Sequence, residues 1–160
     1  MIKEKLESDL KSALKAGEAT RVSVLRLVIT AVRNKEIEKQ KKDTGLSDDE
    51  VIAVLQAEVR KRRDAVEQFR KGGREELAKK EESEIGIIQP YLPAEASDED
   101  IDRAVRDAVA QTRALTPADF GKAMKAAMAT LKGRASGDRV SDRVKTRLAE
   151  LSARQEALGA

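Results

Sequence analysis

The chain contains no cysteine and no histidine. Without cysteine there is no disulfide, no thiolate metal ligand and no thiol nucleophile. Without histidine the commonest general acid–base and the commonest transition-metal ligand are missing too. Tryptophan is absent, and the aromatics amount to 2% of the residues, namely Phe69, Tyr91 and Phe120. Readers of single-stranded nucleic acid stack bases on aromatic side chains, so this scarcity argues against that class. Three prolines and nine glycines in 160 residues are too few to turn a series of β-hairpins. No apolar run approaches the roughly 20 residues of a membrane span, so no membrane association is expected. Met1 to Glu7 alternates charge and lacks the apolar centre of a secretory signal, which makes the cytoplasm the expected location.

What is present favours helix. The chain is 40% hydrophobic and 38% charged, against roughly 25% charged in an average globular protein. Ala, Leu, Glu, Lys and Arg dominate, and these side chains lose little rotamer freedom in a helix. Ile2, Leu6, Leu10, Ala13 and Leu14 predict a helix from about Ile2 to Ala16, stopped by Gly17. Val22, Leu25, Val28, Ile29 and Val32 predict a second, from about Glu18 to Lys41. Ser47 and Glu50 form a capping box that opens a third, ending near Lys71 before Gly72-Gly73. A fourth follows from about Arg74 to Ile88.

Pro90-Tyr91-Leu92-Pro93 is the clearest boundary, because each proline biases the preceding residue away from helix. Beyond it, Ser97 caps a fifth helix, Thr116-Pro117-Ala118-Asp119 starts a sixth that Gly133 ends, and a seventh runs from about Arg139 to Leu151. The expected fold class is therefore all-α: an N-terminal helical domain over 1–92, a small three-helix domain over 93–151, and a frayed tail over 152–160.

The sequence assigns no catalytic residue. With histidine and cysteine gone, nucleophilic catalysis is left with serine–lysine or carboxylate arrangements. Ser47 and Ser97 are explained as helix caps, and no serine sits between glycines as in a nucleophile elbow. Asp48-Asp49-Glu50 and Asp98-Glu99-Asp100 lie in first turns, where negative charge suits the helix dipole. No metal site and no cofactor are expected.

Positive charge concentrates twice. Arg60, Lys61, Arg62, Arg63, Arg70, Lys71 and Arg74 stand against Asp64 and Glu67. Neighbours on a helix are about 100° apart, so this run wraps the circumference, as solvated helices commonly do. Arg60, Arg62, Arg63, Arg70 and Arg74 form a secondary basic patch on this reading. From Phe120 to Leu148, Lys122, Lys125, Lys132, Arg134, Arg139, Arg143, Lys145 and Arg147 are opposed only by Asp138 and Asp142, a surplus of six positive charges. The preceding stretch from Ala94 to Asp119 carries a net charge of −4, so the near-neutral total of +3 hides a lopsided C-terminal domain. Lys122 and Lys125 share a helix face, Lys132-Gly133-Arg134 is a turn, and Arg139, Arg143 and Arg147 recur every four residues. Such a surface can neutralise phosphates.

At these residues the sequence resembles a known family. Gly121-Lys122-x-Met124-Lys125, Lys132-Gly133-Arg134-Ala135 and Val140-Ser141 are similar to the C-terminal tail domain of the B subunit of the tRNA-dependent amidotransferase. The wider layout resembles the stand-alone YqeY-like members of the GatB/YqeY family. It includes Arg21-x-Ser23-Val24-Leu25-Arg26, the basic run before Phe69, Gly73-Arg74 and Pro90-Tyr91-Leu92-Pro93, and extends over roughly Leu6 to Leu148. The resemblance implies a helical tail implicated in holding tRNA away from the chemistry, with the kinase–transamidase and amidase parts found elsewhere.

The leading expectation is a non-catalytic protein that binds tRNA or another structured RNA. Its candidate contacts are Lys122, Lys125, Lys132, Gly133, Arg134, Arg139 and Arg143. A second expectation is a protein-interaction adaptor acting through the N-terminal helices. A third, carbon–nitrogen ligase activity with glutamine as amido donor, follows from the family resemblance alone.

Overall fold

In the computed structural model, which describes residues 1–159, apolar spacing resolves into seven α-helices and no strand among the described residues. They are α1 (Ile2–Ala16), α2 (Ala19–Glu38), α3 (Asp48–Lys71), α4 (Glu75–Ile88), α5 (Asp98–Thr112), α6 (Phe120–Leu131) and α7 (Gly137–Gly159). Single 3₁₀ turns at Gln89–Tyr91 and Pro117–Asp119 follow α4 and precede α6. The chain divides into two compact units, Met1–Leu92 and Pro93–Ala160.

In the first unit α1 packs along α2 and α3 along α4, with α2 also touching α3 and α4. Leu6, Leu25, Val28, Leu55 and Ile88 are fully buried at the centre. Burying each such side chain stabilises the fold by about 1.5–3 kcal/mol, which must offset the entropy of ordering four helices. α3 begins with the expected capping box: the Glu50 amide donates to Ser47 Oγ, and the Ser47 amide donates back to the Glu50 carboxylate. α2 stops at Glu38, three residues short of the expected Lys41, because Gln40 turns left-handed at φ 56°.

In the second unit α5, α6 and α7 pack against one another around Ile101, Val105, Ala123, Ala127, Val140, Val144 and Leu148. Small alanines on α5 and α6 let those helices approach closely. Ser97 caps α5 by accepting from the Asp100 amide. The capping box of Thr116 and Asp119 opens the 3₁₀ turn that leads into α6. α6 ends one residue earlier than expected: Lys132, at φ 43°, is itself the left-handed cap, and Gly133 follows at φ 77°.

The frayed tail expected over 152–160 is corrected as far as Gly159, since α7 continues as one helix to that residue. Ala, Arg, Gln, Glu and Leu extend a helix already nucleated by packing at little cost. Ala160 lies outside the described residues.

Candidate functional site

The acidic and basic halves of the second unit face each other. Arg134 donates from Nε to the Ala94 carbonyl at 3.2 Å and from Nη2 to Asp100 at 3.1 Å. Arg139 donates to the Ala96 carbonyl at 3.1 Å and to Asp98 at 2.9 Å. Arg143 holds both Asp102 oxygens at 2.9 Å and lies 3.5 Å from Asp98. The Ala96 amide donates to the Arg134 carbonyl at 2.7 Å, which fastens the segment before α5 to the turn after α6.

These pairs leave an electrostatic imprint. The Arg139 hydrogen bond and the Arg143 charge hold the Asp98 carboxyl below its ordinary range. Asp100 is likewise lowered, first by the Ser97 amide and then, against some burial, by Arg134. Arg134, Arg139 and Arg143 therefore clasp α5 to the start of α7, and their charge is largely matched within the unit.

The lysines are placed differently. With Ala123, Ala127 and Leu131 buried, the opposite face of α6 carries Lys122, Lys125 and Ala129, with Lys132 continuing it at the cap. Lys122 lies 3.2 Å from Asp119. Asp119 is held down at about 2 by the Leu115 and Thr116 amides and by Lys122. Lys125 and Lys132 are exposed and meet no carboxylate among the described residues. Of the remaining cations, Lys145 sits 5.8 Å over the Phe120 ring and Arg147 lies 3.7 Å from Glu150. The sequence reading did not single out Arg106 and Arg113, which are exposed on α5 and at its left-handed cap and meet no carboxylate among the described residues. The i, i+7 spacing of that pair is the signal that would have found them.

The secondary patch in the first unit is corrected at Arg62, which is only 7% exposed. Its guanidinium donates to Glu84 at 3.1 Å and to Glu58 at 3.0 Å. Arg62 lies seven residues after Leu55 and four before Val66, an inward position that marked it for burial. Arg70 pairs with Glu75 at 3.3 Å and Glu82 at 2.7 Å. Arg63 lines an open groove of about 240 Å³ with Val66, Glu82, Ile85 and Gln89. Arg60 and Arg74 are exposed.

One polar cluster had no sequence signal, because its members are far apart in the chain. The Tyr91 hydroxyl donates to Asp9, Arg21 adjoins it, and Lys5 lies 5.5 Å above the ring. Burial and the Asp9 carboxylate push the Tyr91 hydroxyl up to about 12. The phenol is thus a neutral donor that fixes the end of α4 to α1.

Among the described residues no three acidic side chains converge as a metal site, and no helix is long and apolar enough to cross a membrane. Fold and surface together define an all-helical protein of two units whose accessible chemistry is charge. The chain belongs to the Yqey-like protein family, whose model matches residues 3–148.

Curated relatives agree. The chain is 34% identical over 115 residues to "Altered inheritance of mitochondria protein 41, mitochondrial" of Lachancea thermotolerans, covering 70% of this chain and 60% of that protein. It is 32% identical over 106 residues to the protein of the same name from Saccharomyces cerevisiae, covering 63% and 55% respectively. An uncharacterized protein of Schizosaccharomyces pombe is 34% identical over 97 residues, covering 61% of this chain and 73% of that one. The chain spans little more than half the length of the mitochondrial relatives it matches. Their names overturn the cytoplasmic expectation: it rested on a missing signal core, and relatives 32–34% identical to this chain carry mitochondrial designations.

Proposed function

We propose that the chain is a non-catalytic accessory protein that binds structured RNA, tRNA foremost, through the outer face of α6. The observation that carries this reading is the row of Lys122, Lys125 and Lys132 on one solvent face, two of them without a carboxylate partner among the described residues. Unpaired lysines on a rigid helix are phosphate contacts that need no prior breaking of an ion pair. The similarity of the segments around Lys122 and Lys132 to the amidotransferase tail domain supports the same reading. The arginine clasp has the complementary role of holding the helices that present the face.

The test separates the two roles. Lys125→Glu with Lys132→Glu is expected to abolish a gel shift with tRNA while leaving helicity and thermal melting unchanged. A gel shift that persists in this variant sinks the reading.

A second reading, a protein-interaction adaptor, is favoured by α2. Its outer stripe of Thr20, Ser23, Leu27, Thr30 and Asn34 is exposed and uncharged in a chain that is 38% charged, with Leu27 55% exposed. Thr30 turns its hydroxyl onto the Arg26 carbonyl at 2.8 Å, so that donor is already used within the helix. Under this reading Leu27→Glu removes a protein partner that wild type retains after nuclease treatment; retention by both chains refutes it.

A further inference from the structure

We infer that the α6 face takes the sugar–phosphate backbone of double-helical RNA and reads its shape rather than its bases. This rests on the RNA-binding reading above and specifies the ligand. The first argument is which cations remain accessible. Arginine's planar fork is the usual reader of guanine edges, whereas lysine is a point charge suited to phosphate. In the second unit Arg134, Arg139 and Arg143 are spent on Asp98, Asp100, Asp102 and two backbone carbonyls. What the α6 face offers is lysine.

The second argument is the absence of a stacking platform. Phe120 is the single aromatic of the second unit; it packs against the core and is covered by Lys145 at 5.8 Å. Single strands are gripped by stacking their bases on aromatic rings, at about 1–3 kcal/mol per base. The α6 face has no ring to supply this.

The third argument is regularity. At 1.5 Å per residue, Lys122, Lys125 and Lys132 span about 15 Å along one side of α6 and its cap. A rigid row of charges fits phosphates that base pairing already holds in fixed register; a flexible strand would have to be ordered first. Ala129 stands exposed between Lys125 and Lys132 on the same face. Its single methyl keeps the middle of the row low, so a phosphate backbone can come close to the helix and meet the lysines on either side. Double-helical RNA is bound largely through 2′-hydroxyl and phosphate contacts across its wide, shallow minor groove.

The experiment uses the full chain with four probes: tRNA, a blunt RNA duplex, one of its strands alone, and the DNA duplex of the same sequence. The RNA duplex is expected to bind within a few-fold of tRNA, and duplexes of unrelated sequence to bind alike. The single strand is expected to bind at least about tenfold more weakly, because its phosphates must first be ordered. Lys125→Ala with Lys132→Ala is expected to weaken duplex and tRNA by the same factor without changing the melting temperature. Equal affinity for single strand and duplex overturns the inference, as does equal affinity for the DNA duplex. Binding of tRNA without the RNA duplex overturns it too, yet leaves the RNA-binding reading standing. Failure to bind any of the RNAs overturns both.

Discussion

Replacing Arg62 by methionine leaves two carboxylates facing each other with their shared counter-ion gone. In the native fold the Arg62 guanidinium bonds Glu84 at 3.1 Å, and Glu58 through its carboxylate at 3.0 Å and its carbonyl at 3.1 Å. The glutamate side chains are 13% and 16% exposed, so neither rehydrates freely. Removing one partner of a buried ion pair costs about 3–5 kcal/mol. The residual water access of both glutamates favours the lower end, about 3 kcal/mol, which by the usual size scaling lowers the melting temperature of the first unit by at least about 10 °C.

The sign of the pH dependence gives a second check. Burial raises the Glu58 carboxyl, but hydrogen bonds from Lys61 and Arg62 outweigh it and hold the group below its ordinary 4.5. A lowered carboxyl contributes stability that is fully present above its unfolded value and is lost as pH falls through its folded value. Wild type therefore loses stability on acidification below about pH 4.5, whereas the variant, without Arg62, loses less. Thermal melts followed by far-UV circular dichroism should show a large gap at pH 7 that narrows by pH 4. A variant that also replaces Glu58 and Glu84 by apolar residues of similar volume should recover most of the loss. A melting point unchanged by Arg62→Met, or a gap that does not depend on pH, refutes the reasoning.

Lys132→Gly relieves a left-handed residue and should stabilise the second unit by up to about 1 kcal/mol while weakening RNA binding; loss of stability in a melt would contradict it. Arg143→Glu places a carboxylate against Asp98 and Asp102 and should lower the melting point of the second unit far more than Lys125→Glu, a ranking that paired melts check. Asp119 is held at about 2 against an ordinary 3.8, so its contribution is present above about pH 4 and disappears towards pH 2. Asp119→Asn should accordingly flatten acid unfolding of the second unit over that window, as read by circular dichroism.

The helices were legible because their signals are local. Apolar residues recur at helical spacing, and Ser47 with Glu50 and Ser97 with Asp100 mark two starts within four residues. The all-helical class follows from those signals and from composition. Helix ends set by anything other than glycine or proline were missed: Gln40 and Lys132 adopt the left-handed conformation that glycine usually marks. The tail past Leu151 buries little, so apolar periodicity could not announce that the helix continues.

Charge was legible as a count but not as a surface. The sequence shows eight cations between Phe120 and Leu148. It does not show that Arg134, Arg139 and Arg143 meet aspartates 34 to 41 positions away in the chain. Long-range pairing of this kind depends on how helices dock, which no spacing rule encodes. The lysine face survives because Lys122, Lys125 and Lys132 belong to one helix and its cap, where spacing alone determines the face they share.

The most direct test of the α6 reading is the salt dependence of tRNA binding, measured by fluorescence anisotropy for wild type and for Lys125→Ala with Lys132→Ala. Each phosphate contact contributes close to one unit to the slope of log affinity against log salt. The account predicts a slope shallower by about 2 in the double variant, with an unchanged melting temperature. An identical slope in the two proteins would contradict it.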